Sequence, residues 1–235
     1  MIAYLFDVDG VLVNTGCKIE PDFKEWFIDW SKDKDYYLIT GGERVSTISQ
    51  LGIEIVEGAK IGFHCVGNHI FIDDREYKIN QFSLRPEELW WLETYANESP
   101  YPVKTGNHIE QRTGSVNFSV VGRNANEEER DAYLQWDNTY DERKLLIKEF
   151  TKTFPRFNAF IGGNTSIDIC LNTASKKTCI NFMGNYETIY FFGDKCFPNG
   201  IDFPLAKVLP HSYYQITNGY KETQEKLKHH DIHST

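Results

Sequence analysis

Leu5-Phe6-Asp7-Val8-Asp9-Gly10 is the stretch from which the rest of the chain is read. Ile2 to Phe6 is a short, bare apolar run, the pattern of a buried strand, and it stops at Asp7. Asp7 and Asp9 stand two residues apart, so extended backbone would turn both carboxylates to one side. Gly10 then permits a sharp turn. Two carboxylates at a strand end can hold a hard cation through oxygen. They can also divide the work of attack and proton transfer. The same residues suit a plain strand-end turn in which an aspartate caps the next segment. Asp-x-Asp-Gly alone leaves these readings level.

Working outward, Pro21 opens a helix with Phe23, Trp26, Phe27 and Trp30 at i, i+3, i+4 and i+7, one apolar face. Residues 36–39 form a second short apolar strand. It ends at Thr40-Gly41-Gly42 and feeds a helix expected to turn Val45, Ile48 and Leu51 inward. Strand, helix and strand with polar residues at both carboxyl ends describe a parallel α/β sheet, whose ligand lies beyond those ends. Residues 188–192 return to the same style and stop at Gly193-Asp194.

The middle of the chain differs. Residues 61–72 read as a hairpin around Gly67-Asn68, and residues 86–95 as a helix with Leu89 and Leu92 inward. Residues 109–112 and 115–121 read as strands about a Thr113-Gly114 turn. A helix starts at Asn126 with acidic residues in its first turn, and another carries Leu145, Leu146, Ile147 and Phe150 as far as Pro155. Residues 157–161 and 166–171 are strands again. The expected architecture is α/β: a parallel core in two pieces, 1–78 and 183–235, with an α+β cap at 79–182 inserted between them. The polar tail from Lys228, with its three histidines, reads as a solvated, fraying end.

Composition sets the limits. The chain has 235 residues, 40% hydrophobic and 25% charged, which is globular and ample for a buried core. A net charge of −9 with no basic block argues against nucleic acid as a partner. No apolar run approaches the length needed to cross a membrane, and no leader pattern opens the chain, so the expectation is a cytoplasmic protein without a membrane partner. Five scattered cysteines without a Cys-x-x-Cys pair argue against a disulfide framework and a zinc site.

Three further features bear on Asp7. The Thr40 hydroxyl and the amides after it suit a phosphate oxygen. Lys176 can neutralise a transferring phosphoryl group. Asp194 ends a strand that would lie beside Asp7 and adds a third carboxylate. In this order, Asp7-x-Asp9-Gly10, Thr40, Lys176 and Gly193-Asp194 resemble the four motifs of the haloacid dehalogenase superfamily. The resemblance implies a doubly wound core, an aspartyl-phosphate intermediate and Mg²⁺. It implies Asp7 as nucleophile, Asp9 as proton donor and acceptor, and an ion held by Asp7, Asp9 through its backbone carbonyl, Asp194 and Asp202.

A closer resemblance runs through the inserted part. Ile109-Glu110-Gln111-Arg112-Thr113-Gly114, Val116 to Arg123, and Glu127-Glu128-Glu129-Arg130 are similar to the eukaryotic-type phosphomannomutases. So are Gly162-Gly163, Ser166-Ile167-Asp168 and Phe191-Phe192-Gly193-Asp194-Lys195. The similarity implies that Arg112, Arg123, Arg130 and Ser166, with Asn117, grip a second phosphate, and that Asp168 meets a sugar hydroxyl. Guanidinium groups suit that task, being permanently charged and bidentate. It also implies a hexose 1,6-bisphosphate activator and a homodimer formed through the caps, with which the Trp90-Trp91 pair is compatible.

The chain departs from the family pattern at several points. Val11 stands for Thr, Glu43 follows the two glycines where Ser is expected, Thr40 precedes them, and Ile201 replaces an amide. Three functions follow: a sugar-phosphate mutase acting between mannose 6-phosphate and mannose 1-phosphate, an Mg²⁺-dependent sugar phosphatase of the same fold, and a non-catalytic sugar-phosphate-binding protein.

Overall fold

The structure is a computed structural model that describes residues 1–233, with side chains as far as residue 230. The chain runs β1 (Ile2–Phe6), α1 (Pro21–Trp30), β2 (Asp35–Ile39), α2 (Arg44–Leu51), α3 (Ile53–Gly58), β3 (Ile61–His64), β4 (His69–Ile72) and β5 (Arg75–Ile79). It continues as α4 (Pro86–Glu98), β6 (Ile109–Arg112), β7 (Ser115–Phe118), α5 (Glu127–Tyr140), α6 (Glu142–Thr153), β8 (Phe157–Ile161) and β9 (Ile167–Leu171). A 3-10 segment, Lys176–Phe182, leads to β10 (Thr188–Gly193), α7 (Phe203–Ala206), β11 (Tyr213–Gln215) and α8 (Gly219–His233).

The first sheet has the order β11-β10-β1-β2-β3-β4-β5. The strands from β11 to β3 are parallel, and β4 and β5 turn back antiparallel. Alternation along β1 sorts its side chains between two cores. Tyr4 and Phe6 pack with Phe23, Phe27 and Trp30 of α1, Leu51 of α2 and Leu227 of α8. Ala3 and Leu5 pack on the other face with Cys179, Leu205 and Phe191. Coverage of both faces is what makes bare apolar strands stable here. Register then sets the level of the strand ends. Phe6 pairs with Phe192 and with Leu38, so Asp7, Thr40 and Asp194 all emerge at one edge.

The second sheet, β6-β7-β9-β8, is antiparallel throughout. Val116, Phe118, Ile167 and Ile169 point to one face and pack with Leu92 of α4, Tyr133 of α5 and Phe150 of α6. The residues between them point the other way. Glu110, Asn117 and Asp168 are directly paired across β6, β7 and β9 and form a polar row facing the first sheet. Lys176–Phe182 packs on the first sheet through Cys179, Ile180 and Phe182, so a division drawn at residue 182 does not follow the packing.

Local details differ from the sequence reading. Val45 is 78% exposed, because α2 buries Thr47 and Leu51, four residues apart, and leaves Val45 off that stripe. In α4, Leu92 is buried and Leu89 sits at the margin. β7 stops at Phe118; Val120 and Val121 are buried in the loop that follows. The C-terminal residues read as a fraying tail are helical as far as His233, and His230 Nε2 lies 2.6 Å from the Tyr214 hydroxyl. The last two residues of that tail, 234 and 235, lie outside the described residues. Val11, expected to lose a local hydroxyl, is buried in the first core, and its carbonyl accepts from Thr223 Oγ1. Trp91 packs against Phe150 while Trp90 is exposed. The five cysteines are all free thiols. Among the described residues no helix is long and apolar enough to cross a membrane.

One buried ion pair secures the second unit. Arg143 donates from Nε to Asp137 Oδ2 at 2.8 Å and from Nη1 to the Gly163 carbonyl at 3.0 Å, with both side chains buried. Removing one partner strands a buried charge. Arg143→Met is expected to lower the unfolding free energy by about 3 kcal/mol, measured by urea unfolding followed through tryptophan fluorescence.

Candidate active site

Asp7 leaves β1 with its amide donating to the Phe192 carbonyl at 2.9 Å, and its Oδ1 accepts from the Val8 amide at 2.8 Å. Its Oδ2 lies 2.8 Å from Lys176 Nζ, which is also 2.7 Å from Asp202 Oδ1. Lys176 is fully buried, and so is Asp202. Asp202 Oδ2 accepts from the Lys195 amide at 3.0 Å, and Asp194 pairs with the Lys195 ammonium. Carboxylate oxygens of Asp7, Asp194 and Asp202 all lie within 4.8 Å of one another. Gly10 has φ +77°, and a Cβ there would come within 2.5 Å of Asp194 Oδ2, so glycine is required both by the turn and by the close approach.

The electrostatics follow from burial. Loss of water pushes the Asp7 carboxyl well above its usual range; Lys176 opposes this, and Asp202 and Asp194 add to it. Burial also pushes Asp194 up to about 6, against the pull of Lys195. Burial disfavours the Lys176 ammonium, but Asp202 and Asp7 outweigh it and hold Lys176 above the usual lysine value. Asp194 Oδ1 is buried with no hydrogen-bond partner among the described residues. An unpaired buried carboxylate oxygen in an all-oxygen group fits a hard divalent cation, with Asp7, Asp194 and Asp202 as the side chains to hold it.

Asp9 is placed differently. Its Oδ1 accepts from the Gly16 amide and from Gln50 Nε2, each at 2.9 Å, and its side chain is not in the three-carboxylate group. The turn after β1 has rotated it away from the line that extended backbone would give. Thr40 is buried, and its Oγ1 accepts from the Gly42 amide at 3.0 Å. Beside Asp194 and Gly10 lies a cleft of about 590 Å³ that includes Asn14, Asn164 and Gln215; Asp194 is the one charged residue among its described lining.

Arg112 and Arg123 converge on the polar row, with Arg130 beside them. Asn117 Nδ2 donates to Ser166 Oγ at 3.0 Å and to Asp168 Oδ1 at 2.8 Å, while its Oδ1 accepts from Arg123 Nη1 at 2.7 Å. Glu110 accepts from Arg112 through both oxygens, at 3.0 and 3.2 Å, and also pairs with Arg123. Arg112 Nη1 reaches Asp168 at 3.3 Å and the Gly41 carbonyl at 3.2 Å. Arg130 holds Thr165 Oγ1 at 3.2 Å and the Ala125 carbonyl at 2.9 Å. Burial holds Arg123 below the usual arginine value; Glu110 opposes this, and Arg112 and Arg130 add to it. Glu110 and Asp168 supply the counter-charge to these guanidinium groups.

Residues 48–229 match the family model described as eukaryotic phosphomannomutase. The chain belongs to this family. It is 28% identical to a phosphomannomutase from Dendrobium officinale, over 96% of this chain and 92% of that one. It is 27% identical to one from Arabidopsis thaliana, over 88% of this chain and 89% of that one. It is 28% identical to one from Galdieria sulphuraria, over 94% and 92%. Among solved structures, a trehalose-6-phosphate phosphatase related protein superposes with a TM-score of 0.59 at 13% identity, over 99% of this chain and 98% of that one. A HAD subclass IIB sugar phosphatase gives 0.52 at 15% identity, over 87% and 84%. These likenesses show a fold shared with those two proteins.

Four side chains around the site were missed in the sequence reading: Gln50, Glu43, Glu110 and Arg143. Glu110 had a signal, since it stands two residues before Arg112 in a strand and shares its face. Gln50 and Glu43 reach partners 41 and 70 residues away, and Arg143 joins Asp137 to the Gly163 carbonyl, contacts that no local pattern announces. The buried ammonium generates a direct test. Lys176→Met leaves Asp7 and Asp202 facing each other in a buried site. It is expected to cost about 3 kcal/mol in chelator-treated protein. Added Mg²⁺ should recover part of the lost Tm in this variant, followed by calorimetry.

Proposed function

We propose that this protein interconverts mannose 6-phosphate and mannose 1-phosphate through an aspartyl-phosphate on Asp7, primed by a hexose 1,6-bisphosphate. The observation that carries the reading is two separate charged clusters on facing surfaces, to each of which we assign one phosphate. One is the Asp7–Lys176 pair at the end of β1; the other is Arg112, Arg123 and Arg130 on the second unit. A mutase needs both, because its intermediate carries two phosphates. In this reading the second sheet with α4–α6 is the substrate-binding cap and the first sheet is the catalytic core.

The chemistry assigned to the chain's own residues is as follows. A carboxylate oxygen of Asp7 attacks phosphorus, and the bond from phosphorus to the departing sugar oxygen breaks. Asp9 protonates that oxygen and later takes the proton of the incoming hydroxyl. Gln50 and the Gly16 amide hold Asp9 through one oxygen and leave the other for this exchange. Lys176 offsets the charge that otherwise repels a carboxylate nucleophile. Thr40 and the amides after it receive a phosphoryl oxygen. Arg112, Arg123 and Arg130, with Ser166 and Asn117, retain the other phosphate while the sugar turns, and Asp168 orients a hydroxyl. A Mg²⁺ ion held by Asp7, the Asp9 carbonyl, Asp194 and Asp202 would supply Lewis-acid neutralisation of the phosphoryl group.

A second reading, release of phosphate to water, is favoured by one feature. The Thr40 hydroxyl stands before the two glycines, where general phosphatases carry it. Phosphorus NMR separates the two. With Mg²⁺, mannose 1-phosphate and a trace of hexose 1,6-bisphosphate, the protein is expected to form mannose 6-phosphate. Inorganic phosphate as the only product would replace the mutase reading. Arg123→Ala is expected to raise KM for mannose 1-phosphate on the order of tenfold or more and to suppress isomerisation, since it removes a charged contact to the retained phosphate.

A further inference from the structure

The tip of the β6–β7 hairpin is held by a residue outside the chemistry above. Glu43 caps the start of α2 directly after Gly41 and Gly42, and its carbonyl accepts from the Thr47 amide at 3.0 Å. Its side chain reaches across to the second unit. Oε1 accepts from the Thr113 amide at 3.0 Å and from Thr113 Oγ1 at 3.2 Å. Thr113 and Gly114 form the hairpin turn, and Arg112 is the last residue of β6 before it. Asn68 Nδ2 adds a bond to the Gly114 carbonyl at 2.8 Å. Arg112 is thereby seated on the Gly41 carbonyl, one residue beyond Thr40.

We infer that Glu43 is a positioning residue: its carboxylate latches the hairpin tip over the Thr40–Gly42 loop, and this latch limits the access of water to phosphorylated Asp7. The inference rests on the mutase reading for its second half only. Transfer to a sugar and transfer to water have the same balance. In each, an oxygen bonds to phosphorus, the bond from phosphorus to Asp7 breaks, and a proton leaves the attacking oxygen for Asp9. Residue chemistry therefore does not separate the two products; access does.

Glu43 is suited to setting that access. One carboxylate accepts both donors of one turn residue, and bonds to an ionised acceptor are the stronger kind. Besides Arg112 on the Gly41 carbonyl and the Lys176 ion pairs, the units meet through neutral contacts: Ile161 exchanges backbone bonds with Asn199 and Ile201, and Val66 and Ile201 pack on Cys170. Losing the charged pair of bonds would shift the open population by on the order of tenfold.

The test uses the full chain with Mg²⁺ and the variants Glu43→Ala, Glu43→Gln and Thr113→Val. Amide hydrogen exchange is read over residues 109–118, with β10 as a control for intact folding. Glu43→Ala is expected to speed exchange at the hairpin tip about tenfold, leaving β10 unchanged. Glu43→Gln, which keeps an acceptor oxygen, and Thr113→Val, which keeps the amide donor, should fall between it and the parent. In parallel, the ratio of inorganic phosphate to mannose 6-phosphate should rise in the same order, with the largest change in Glu43→Ala. Unchanged exchange at residues 112–114 in Glu43→Ala overturns the latch. Faster exchange with an unchanged product ratio overturns the control of water. If the parent protein forms no mannose 6-phosphate, the mutase reading fails by itself, and the exchange comparison still decides the latch.

Discussion

A buried ammonium between carboxylates is the interaction on which the rest of the structure depends. Lys176 lies between Asp7 and Asp202, with Asp194 close by, and none of these groups has much access to water. Three acidic side chains gathered at one sheet edge would repel one another and resist burial. The ammonium offsets that cost, and it arrives on the strand of chain that returns from the second unit. The inserted unit is therefore tied to the catalytic edge by charge as well as by the covalent chain. The site is also incomplete in charge: Asp194 Oδ1 still lacks a partner among the described residues, which is the physical reason to assign a divalent cation there.

The second constraint is register. In the parallel sheet it brings the ends of β1, β2 and β10 to one level, so residues far apart in the chain share an edge. In the antiparallel sheet it lines up Glu110, Asn117 and Asp168 across three strands. One face of that sheet is covered by three helices, so the polar row has to face outward, toward the first sheet. Arg112 and Arg123 gather on it because Glu110 and Asn117 hold them there, while Arg130 is held beside them by the Ala125 carbonyl and Thr165. Two clusters of charged side chains of different construction thus face each other, one built on a strand end and one on a sheet face. Ile201 packs with Val66 and Cys170 at the junction.

Much of this was legible beforehand. The strands β1, β2 and β10 are short apolar runs with polar ends, and α1 carries a four-residue apolar stripe. Both patterns survive in any context that buries them. Asp7, Lys176, Asp194, Asp202 and the three arginines were recognisable as candidates because their residue types and order carry chemistry, and the structure brings the first four together. Weak patterns misled. Val45 and Leu89 fit a helical spacing yet lie off the buried stripes, because neighbouring residues four apart fill them instead. The strand β5 and the helix α8 lack a strong apolar period, and their order comes from pairing with β4 and from packing of Leu227 and His230 against the first sheet.

The Asp7-Val8-Asp9-Gly10 turn marks the boundary between the two kinds of information. The sequence by itself determined that a strand ends there, that a glycine follows, and that a carboxylate stands ready at Asp7. It also determined the family, since the motifs and their order are properties of the chain. Only the tertiary structure decided where each carboxylate points. Asp7 turns to Lys176, while Asp9 turns to Gln50 and to the nearby Gly16 amide; Lys176 and Gln50, each more than forty residues away, help set those directions. The same holds for Glu43 and Thr113, which are seventy residues apart and meet only when the units pack. Pattern is local, and contact across a fold is not.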